Sequence, residues 1–345
     1  MFATPNQQSI SSSLVSATAL AFIGGAVTCC SAISLASFFK NQPAKIWKYQ
    51  QQGGTWGSGV NQPTAGPRSV EELPRGEHDI QLYSLGTPNG MKVTCLLEEL
   101  CLRYGIEYDA WRIGIGSQEL GQFTTGFVSV NPNSKIPALL LYGGNGQEEP
   151  TRVFESAAIM MYLCEKYDKD GTFLPPSGDQ RRAECLSWLF WVQGSAPYLG
   201  GGFGHFYHYA PVKIRYAIDR YSMETKRQLD VLERHLSGEC MLGEKKSNFA
   251  GGPYLCGDQL TIADLCAYPW YGRFAQGKMY GNSGEFLKTK EDYPHVVAWA
   301  ERMESREGVR RGCMVNRSKG DKGNPTLRER HSSKDFESSE WISIS

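Results

Sequence analysis

The residues best placed to do chemistry are Thr87-Pro88-Asn89-Gly90, inside the stretch "LYSLGTPNGMKVTCLLEEL". They lie between an apolar strand pattern and a helix pattern. A helix start gathers unpaired N–H groups and partial positive charge, so it favours an anion. The same residues also make an ordinary helix start, with Thr87 as N-cap and Pro88 as the first helical residue. A second concentration is "GGGFGHFYHYAP", Gly200 to Pro211. His205 and His208, at i and i+3, have a helical spacing that could suit a metal, but no nearby carboxylate or cysteine completes a site, so no metal is expected. Two readings stay open for its rings: aromatic packing against the neighbouring domain, or a pocket wall where Phe206, His208 and Tyr209 meet a second substrate. The ten cysteines include no C-x-x-C, which argues against structural zinc and against a dithiol redox pair. Most lie in apolar helical patterns such as "MMYLCEKY", as small buried hydrophobes do in a reducing compartment.

These residues need elements to position them. "DIQLYSLG" alternates as a strand, "MKVTCLLEELCLRYG" is an amphipathic helix stopped by Gly105, and "IEYDAWRI" is a second strand. After an irregular stretch, "IPALLLY" and "TRVF" flank the Gly-rich turn "GGNG" as a hairpin, and "SAAIMMYLCEKY" is a helix. The order β-α-β, irregular segment, β-β-α over residues 79–172 is the thioredoxin-type α/β layout. Thr87 falls where a redox protein of that fold carries its C-x-x-C. "FLPPSGD" is a linker, and residues 179–312 are helical throughout, with Thr261-Ile262-Ala263-Asp264 in capping-box form. The predicted fold is therefore an α/β thioredoxin-like domain followed by an all-α domain. Residues 41–78 read as an extended Gly/Pro-rich arm and residues 313–345 as a polar tail.

The 345 residues are 41% apolar and 21% charged, with 36 acidic and 36 basic side chains. That balance gives no electrostatic case for nucleic acid. Met1 to Phe39 holds no charged side chain, and Lys40, Lys45 and Lys48 follow it. Residues 14–39 are long enough to span a bilayer as a transmembrane helix, and the basic flank would keep the catalytic body facing the cytosol. The alternatives are a cleaved targeting segment, ending near Ser34-Leu35-Ala36 and directing the chain to an organelle, or a disordered tail 1–40.

In order along the chain, "PAKIW", "LYSLGTPNG", "VNPNSKIPAL", "RVFES", "WLFWVQG", "GGGFGHFYHYAP", "GDQLTIAD" and "LRERH" resemble the glutathione S-transferase superfamily. The likeness is closest to its nu-class branch, which includes bacterial glutathione-dependent disulfide-bond reductases. The resemblance implies that the anion is the sulfur of glutathione, faced by Thr87 and Asn89 where other classes place Tyr, Ser or Cys. It implies a cis proline at Pro137 that turns the Ile136 backbone toward the cysteinyl part. It implies that Glu155 and Ser156 hold the γ-glutamyl end, and that Asn61, Gln122, Gln193 and Arg220 also contact glutathione. Lys135 is a partner for the glycyl carboxylate, and Pro88 lies within the same junction. The family forms homodimers, so Arg220 could serve the neighbouring subunit's site.

A thiol of pKa ~8.5 is roughly 3% thiolate at pH 7, and lowering it by ~2 units takes about 2.7 kcal/mol. A hydrogen bond to a charged acceptor, at roughly 1.5–3 kcal/mol, plus a helix N-terminus at roughly 0.3–1, can supply that. The implied enzyme uses glutathione as co-substrate, with no metal, to reduce small disulfides through a mixed disulfide. Lacking a C-x-x-C, it needs two glutathiones or one glutathione disulfide in its pocket. Conjugation to electrophiles, peroxide reduction, and a non-catalytic glutathione-binding regulator are the competing functions.

Overall fold

The computed structural model describes residues 45–50, 53–54, 57, 60–116, 119–143, 149–239, 249–317 and 326–337. Residues 45–50 are exposed, and their Trp47 and Tyr49 rings lie 6.3 Å apart. The membrane-spanning helix expected over residues 14–39, and with it the anchored, cytosol-facing body, is corrected. Among the described residues no helix is long and apolar enough to cross a membrane, and residues 1–44 lie outside them.

The strand Ile80–Ser84 (β1) is buried at every position, although its sequence alternates. It is central in a four-stranded sheet of order β2-β1-β3-β4, pairing in parallel with β2 (Asp109–Arg112) and antiparallel with β3 (Ala138–Leu141), which carries β4 (Thr151–Phe154) antiparallel. Its polar member Gln81 is buried because each side-chain group has a partner. Oε1 accepts from the N–H of Gly76 at 2.9 Å and of the Trp111 ring at 2.8 Å, and Nε2 donates to the His78 carbonyl and Asp109. A buried amide so satisfied carries little penalty.

Helix α1, Pro88–Tyr104, connects β1 to β2 and stops at Gly105, whose φ of 69° closes the cap on the Cys101 carbonyl. It reads as amphipathic but is buried continuously from Gly90 to Cys101, since the helices Ser156–Tyr167, Ile262–Ala267 and Glu307–Gly312 all pack against it. Its charged residues survive burial through partners: Arg306 grips Glu99 with two nitrogens at 2.7 and 2.8 Å, and Arg330 and Tyr108 bond to Glu98. The stretch expected to be irregular contains a short helix, α2 (Thr125–Val130), capped by the Thr124 hydroxyl. Helix α3, Ser156–Tyr167, follows β4.

The arm is laced to this layer. Arg68 N–H donates to the Phe123 carbonyl at 2.7 Å, Gly126 N–H to the Glu71 carbonyl at 2.9 Å, and the Tyr83 hydroxyl to the Pro74 carbonyl at 2.8 Å. Residues 326–337 return to the same sheet edge. Arg330 is fully buried and exchanges backbone hydrogen bonds with Ala110, and the His331 ring bonds to Asp109 at 2.7 Å.

The second layer is helical. Helix α4, Gln180–Pro197, passes at Pro197 into a wide, π-type helical segment, Tyr198–Tyr209. A second wide segment, Tyr268–Gly272, continues helix α5 (Ile262–Ala267) and has Pro269 in its first turn. A proline cannot keep the ordinary helical ladder, and wider turns re-form it. The long helix α6 of this layer, Arg215–Ser237, lies between them in sequence. The Thr261/Asp264 capping box is formed at the start of α5. Asp264 is buried and accepts from the N–H groups of Leu255 and Thr261 and from the Trp299 ring at 2.8 to 3.0 Å.

Candidate functional site

The end of β1 turns sharply into α1. A side chain at position 90 would collide with the Leu85 carbonyl and the Ser84 hydroxyl, so Gly90 is what lets the first turn of the helix close on the strand. Thr87 is the N-cap; its Oγ1 accepts from Gly90 N–H at 3.4 Å, which leaves its own O–H to donate elsewhere. Thr87, Pro88 and Asn89 are all partly exposed. The Asn89 side-chain oxygen accepts from the Trp270 ring N–H at 2.9 Å.

One helical step further, Lys92 is fully buried. Its ammonium donates to Gln193 Oε1 at 2.8 Å and to Ser156 Oγ at 3.4 Å, and Gln193 Nε2 donates to the same Ser156 oxygen at 3.4 Å. Burial pulls the Lys92 pKa below its ordinary value, opposed by Cys266 and Glu155. Ser156 opens α3 and is buried, while Glu155 before it is exposed and caps no backbone group with its side chain. Glu155 takes φ 71°, where a non-glycine residue is strained by about 1–3 kcal/mol. Such strain collects at sites where direction matters. The Ile136–Pro137 peptide is cis.

Asn89 is thus held by Trp270, and Ser156 and Gln193 by Lys92, two residues that the sequence reading missed. A lysine between apolar neighbours in "GMKVTCLL" was a signal for the second; nothing in "PWYG" pointed to the first. The other expected residues stand on other segments. Gln122 is buried in the turn Gly121–Phe123, Lys135 is exposed while its carbonyl accepts from Asn131 at 2.5 Å, and Asn61 is exposed on the arm. Arg220 lies on the exposed face of α6, with Tyr216 and Met223 exposed near it.

The glycines of "GGGFG" make room for rings. A side chain at Gly200 would lie 2.5 Å from the Trp270 ring, one at Gly202 would strike Tyr221, and one at Gly204 would strike Tyr280. Phe206 stacks on Tyr221 with centroids 5.6 Å apart, and Tyr209 and His208 pack on Tyr280 at 5.8 and 6.1 Å. The rings therefore form a packed aromatic cluster. Among the described residues no group of three His, Cys, Asp or Glu could hold a metal ion.

Cys95 is fully buried, and burial pushes its thiol well above the ordinary range, with the Cys313 thiol at 3.8 Å adding to the effect.

Residues 215–302 match the model of the glutathione S-transferase C-terminal domain. The chain is 49% identical to the disulfide-bond oxidoreductase YghU of Escherichia coli K12 over 86% of its own length and 95% of the relative's. The chain belongs to the glutathione S-transferase family. A solved family structure, the glutathione transferase YghU of Streptococcus pneumoniae complexed with glutathione, is 46% identical, with a TM-score of 0.71 over 80% of this chain and 98% of its own. A glutathione transferase of Pseudomonas putida, solved with one glutathione disulfide per subunit, is 29% identical, with a TM-score of 0.58 over 70% of this chain and 94% of its own. With this membership, the sheet layer is the thioredoxin-like domain of the family and the helical layer its all-α domain.

Proposed function

We propose that this enzyme reduces disulfide bonds with glutathione, and that the thiols of the reaction belong to glutathione. The observation that carries the reading is the junction before α1, where a helix N-terminus, the Thr87 hydroxyl and the Asn89 carboxamide converge and no cysteine stands. Three neutral donors suit an anion without competing to be ionised. The disulfide oxidoreductase name of a relative 49% identical supports the same reading.

In this reading Thr87 and Asn89 donate to the sulfur and stabilise the thiolate. The Ile136 backbone beside Pro137 pairs with the cysteinyl part, and Glu155 takes the γ-glutamyl ammonium. Ser156 and Gln193 take the adjoining carboxylate, Lys135 the glycyl carboxylate, and Gln122 and Asn61 add contacts. Arg220, exposed on α6 beside Tyr216 and Met223, reaches the site of a second subunit in a homodimer. The thiolate attacks a disulfide, forming one S–S bond to glutathione and releasing one substrate thiolate. A second glutathione thiolate then attacks the glutathione sulfur of that mixed disulfide. It releases the other substrate thiolate and leaves glutathione disulfide. Phe206, His208 and Tyr209 line the acceptor side.

Rates measured at fixed glutathione with hydroxyethyl disulfide, a hydroperoxide and an aryl halide test the proposal. The disulfide is expected to turn over fastest. A protein that turns over the aryl halide but leaves the disulfide at its uncatalysed rate would replace this reading by conjugation.

A further inference from the structure

We propose that Trp270 is a positioning residue that decides which end of the Asn89 carboxamide meets the glutathione sulfur; this rests on the reading that Asn89 faces that sulfur. A carboxamide has nearly the same shape either way round, but one end donates and the other accepts. Turned the wrong way, Asn89 would set an oxygen against a thiolate. The indole N–H is a donor only. The Asn89 atom 2.9 Å from it is therefore the oxygen, and both amide hydrogens lie on the other end of the carboxamide. The thiolate meets donors because the opposite orientation would leave the Trp270 N–H facing an N–H.

The ring is itself fixed. Trp270 lies in the wide segment Tyr268–Gly272 and is half-buried, with its six-membered edge against Gly200. A β-carbon at position 200 would stand 2.5 Å from Cη2 and 2.8 Å from Cζ3. Only glycine leaves the ring where it is. The two wide helical segments therefore act on the sulfur end together: Gly200 seats Trp270, and Trp270 orients Asn89. The helical domain in this way sets the hydrogen-bond polarity of a residue 181 positions away in the thioredoxin-like domain.

Trp270→Phe keeps a ring against Gly200 and removes the N–H. The test is a titration of protein-bound glutathione, followed by ultraviolet absorbance of the thiolate, in the wild type, Trp270→Phe, Asn89→Ala and the double variant. Trp270→Phe is expected to raise the bound thiol pKa by about one unit, a tenfold lower thiolate-to-thiol ratio. Asn89→Ala should raise it by a similar amount and the double variant no further, while affinity for S-methylglutathione, which has no thiol to ionise, stays within about twofold. A merely structural role would weaken both ligands alike. An unchanged pKa in Trp270→Phe beside a raised one in Asn89→Ala overturns the role of Trp270 and leaves Asn89 as donor. An unchanged pKa in both overturns the reading of Asn89 as well. If Trp270→Phe does not fold, Gly200→Ala, which displaces the ring, decides in its place: a raised pKa supports the proposal and an unchanged one overturns it.

Discussion

Replacing Lys92 by Met separates binding from stability at the other end of the site. The ammonium donates to Gln193 at 2.8 Å and to Ser156 at 3.4 Å. Because Ser156 Oγ also accepts from Gln193 Nε2, its own hydrogen is directed away from both, toward whatever binds at the start of α3. Lysine is a donor only, so the whole network presents donors outward. That polarity suits the γ-glutamyl carboxylate. Removing the lysine frees Gln193 and Ser156 to turn, so each must be re-ordered when glutathione binds, at about 0.5–1 kcal/mol per side chain. Together that is about 1–2 kcal/mol, a rise in glutathione KM of roughly five- to thirtyfold. Folding should respond less. Burial lowers the Lys92 pKa, so below that pKa the charged amine weakens the fold, and an apolar side chain of similar length removes that penalty. The melting transition should therefore move by the equivalent of about 1 kcal/mol or less. The turnover number should hold within about threefold, because the sulfur end is untouched. Glutathione-dependent hydroxyethyl disulfide reduction and a thermal melt measure all three. A folded Lys92→Met with unchanged KM would refute the polarity argument.

Thr87→Ala should lose roughly tenfold to a hundredfold in turnover, or about 1.4–2.7 kcal/mol, since the thiolate loses its hydroxyl donor. Cys95→Ala should keep most of its activity and lose about 1 kcal/mol of stability; an inactive, folded Cys95→Ala beside a fully active Thr87→Ala would contradict both. Asp264→Ala strands the N–H groups of Leu255, Thr261 and Trp299 and should cost about 3 kcal/mol or more in urea unfolding; a loss under about 1 kcal/mol would mean that solvent satisfies them. Acid should loosen the residue 326–337 clasp. Burial pushes the Asp109 pKa up, but hydrogen bonds from His331, His78 and Gln81 outweigh it and hold the carboxyl below its usual value. Its contribution is then complete above the unfolded pKa of ~3.9 and lost as pH falls through the lower folded value. Asp109→Asn should flatten this part of the acid slope in urea midpoints taken below about pH 5, and an unchanged slope would exclude Asp109 as its source.

The features legible in the sequence were those whose causes are local. Thr87 caps α1, Gly105 stops it, and Thr261 with Asp264 forms the box at α5, because each acts within one helical turn. The short helix α2 escaped notice because six residues are too few to show a period. Gln81 kept an alternation that usually means one solvated face, yet its partners Trp111 and Asp109 come from the next strand and make it internal. The continuous burial of α1 was likewise invisible. Its covers include Arg306 and Arg330, 207 and 232 residues from their glutamates. The same distance hid the supports of the site. Asn89 and Trp270 are 181 residues apart, and Lys92 and Gln193 101. Resemblance supplied the expected ligand contacts; the structure supplied the donors behind Asn89, Ser156 and Gln193.

Whether the reacting thiols belong to glutathione alone is tested most directly by quenching the enzyme in acid during steady turnover of hydroxyethyl disulfide and weighing the intact protein. The expected result is a protein of unmodified mass, with one glutathione disulfide formed for each disulfide reduced. A glutathione adduct on a protein cysteine, appearing and decaying at the rate of turnover, would contradict the account and move the chemistry onto the protein.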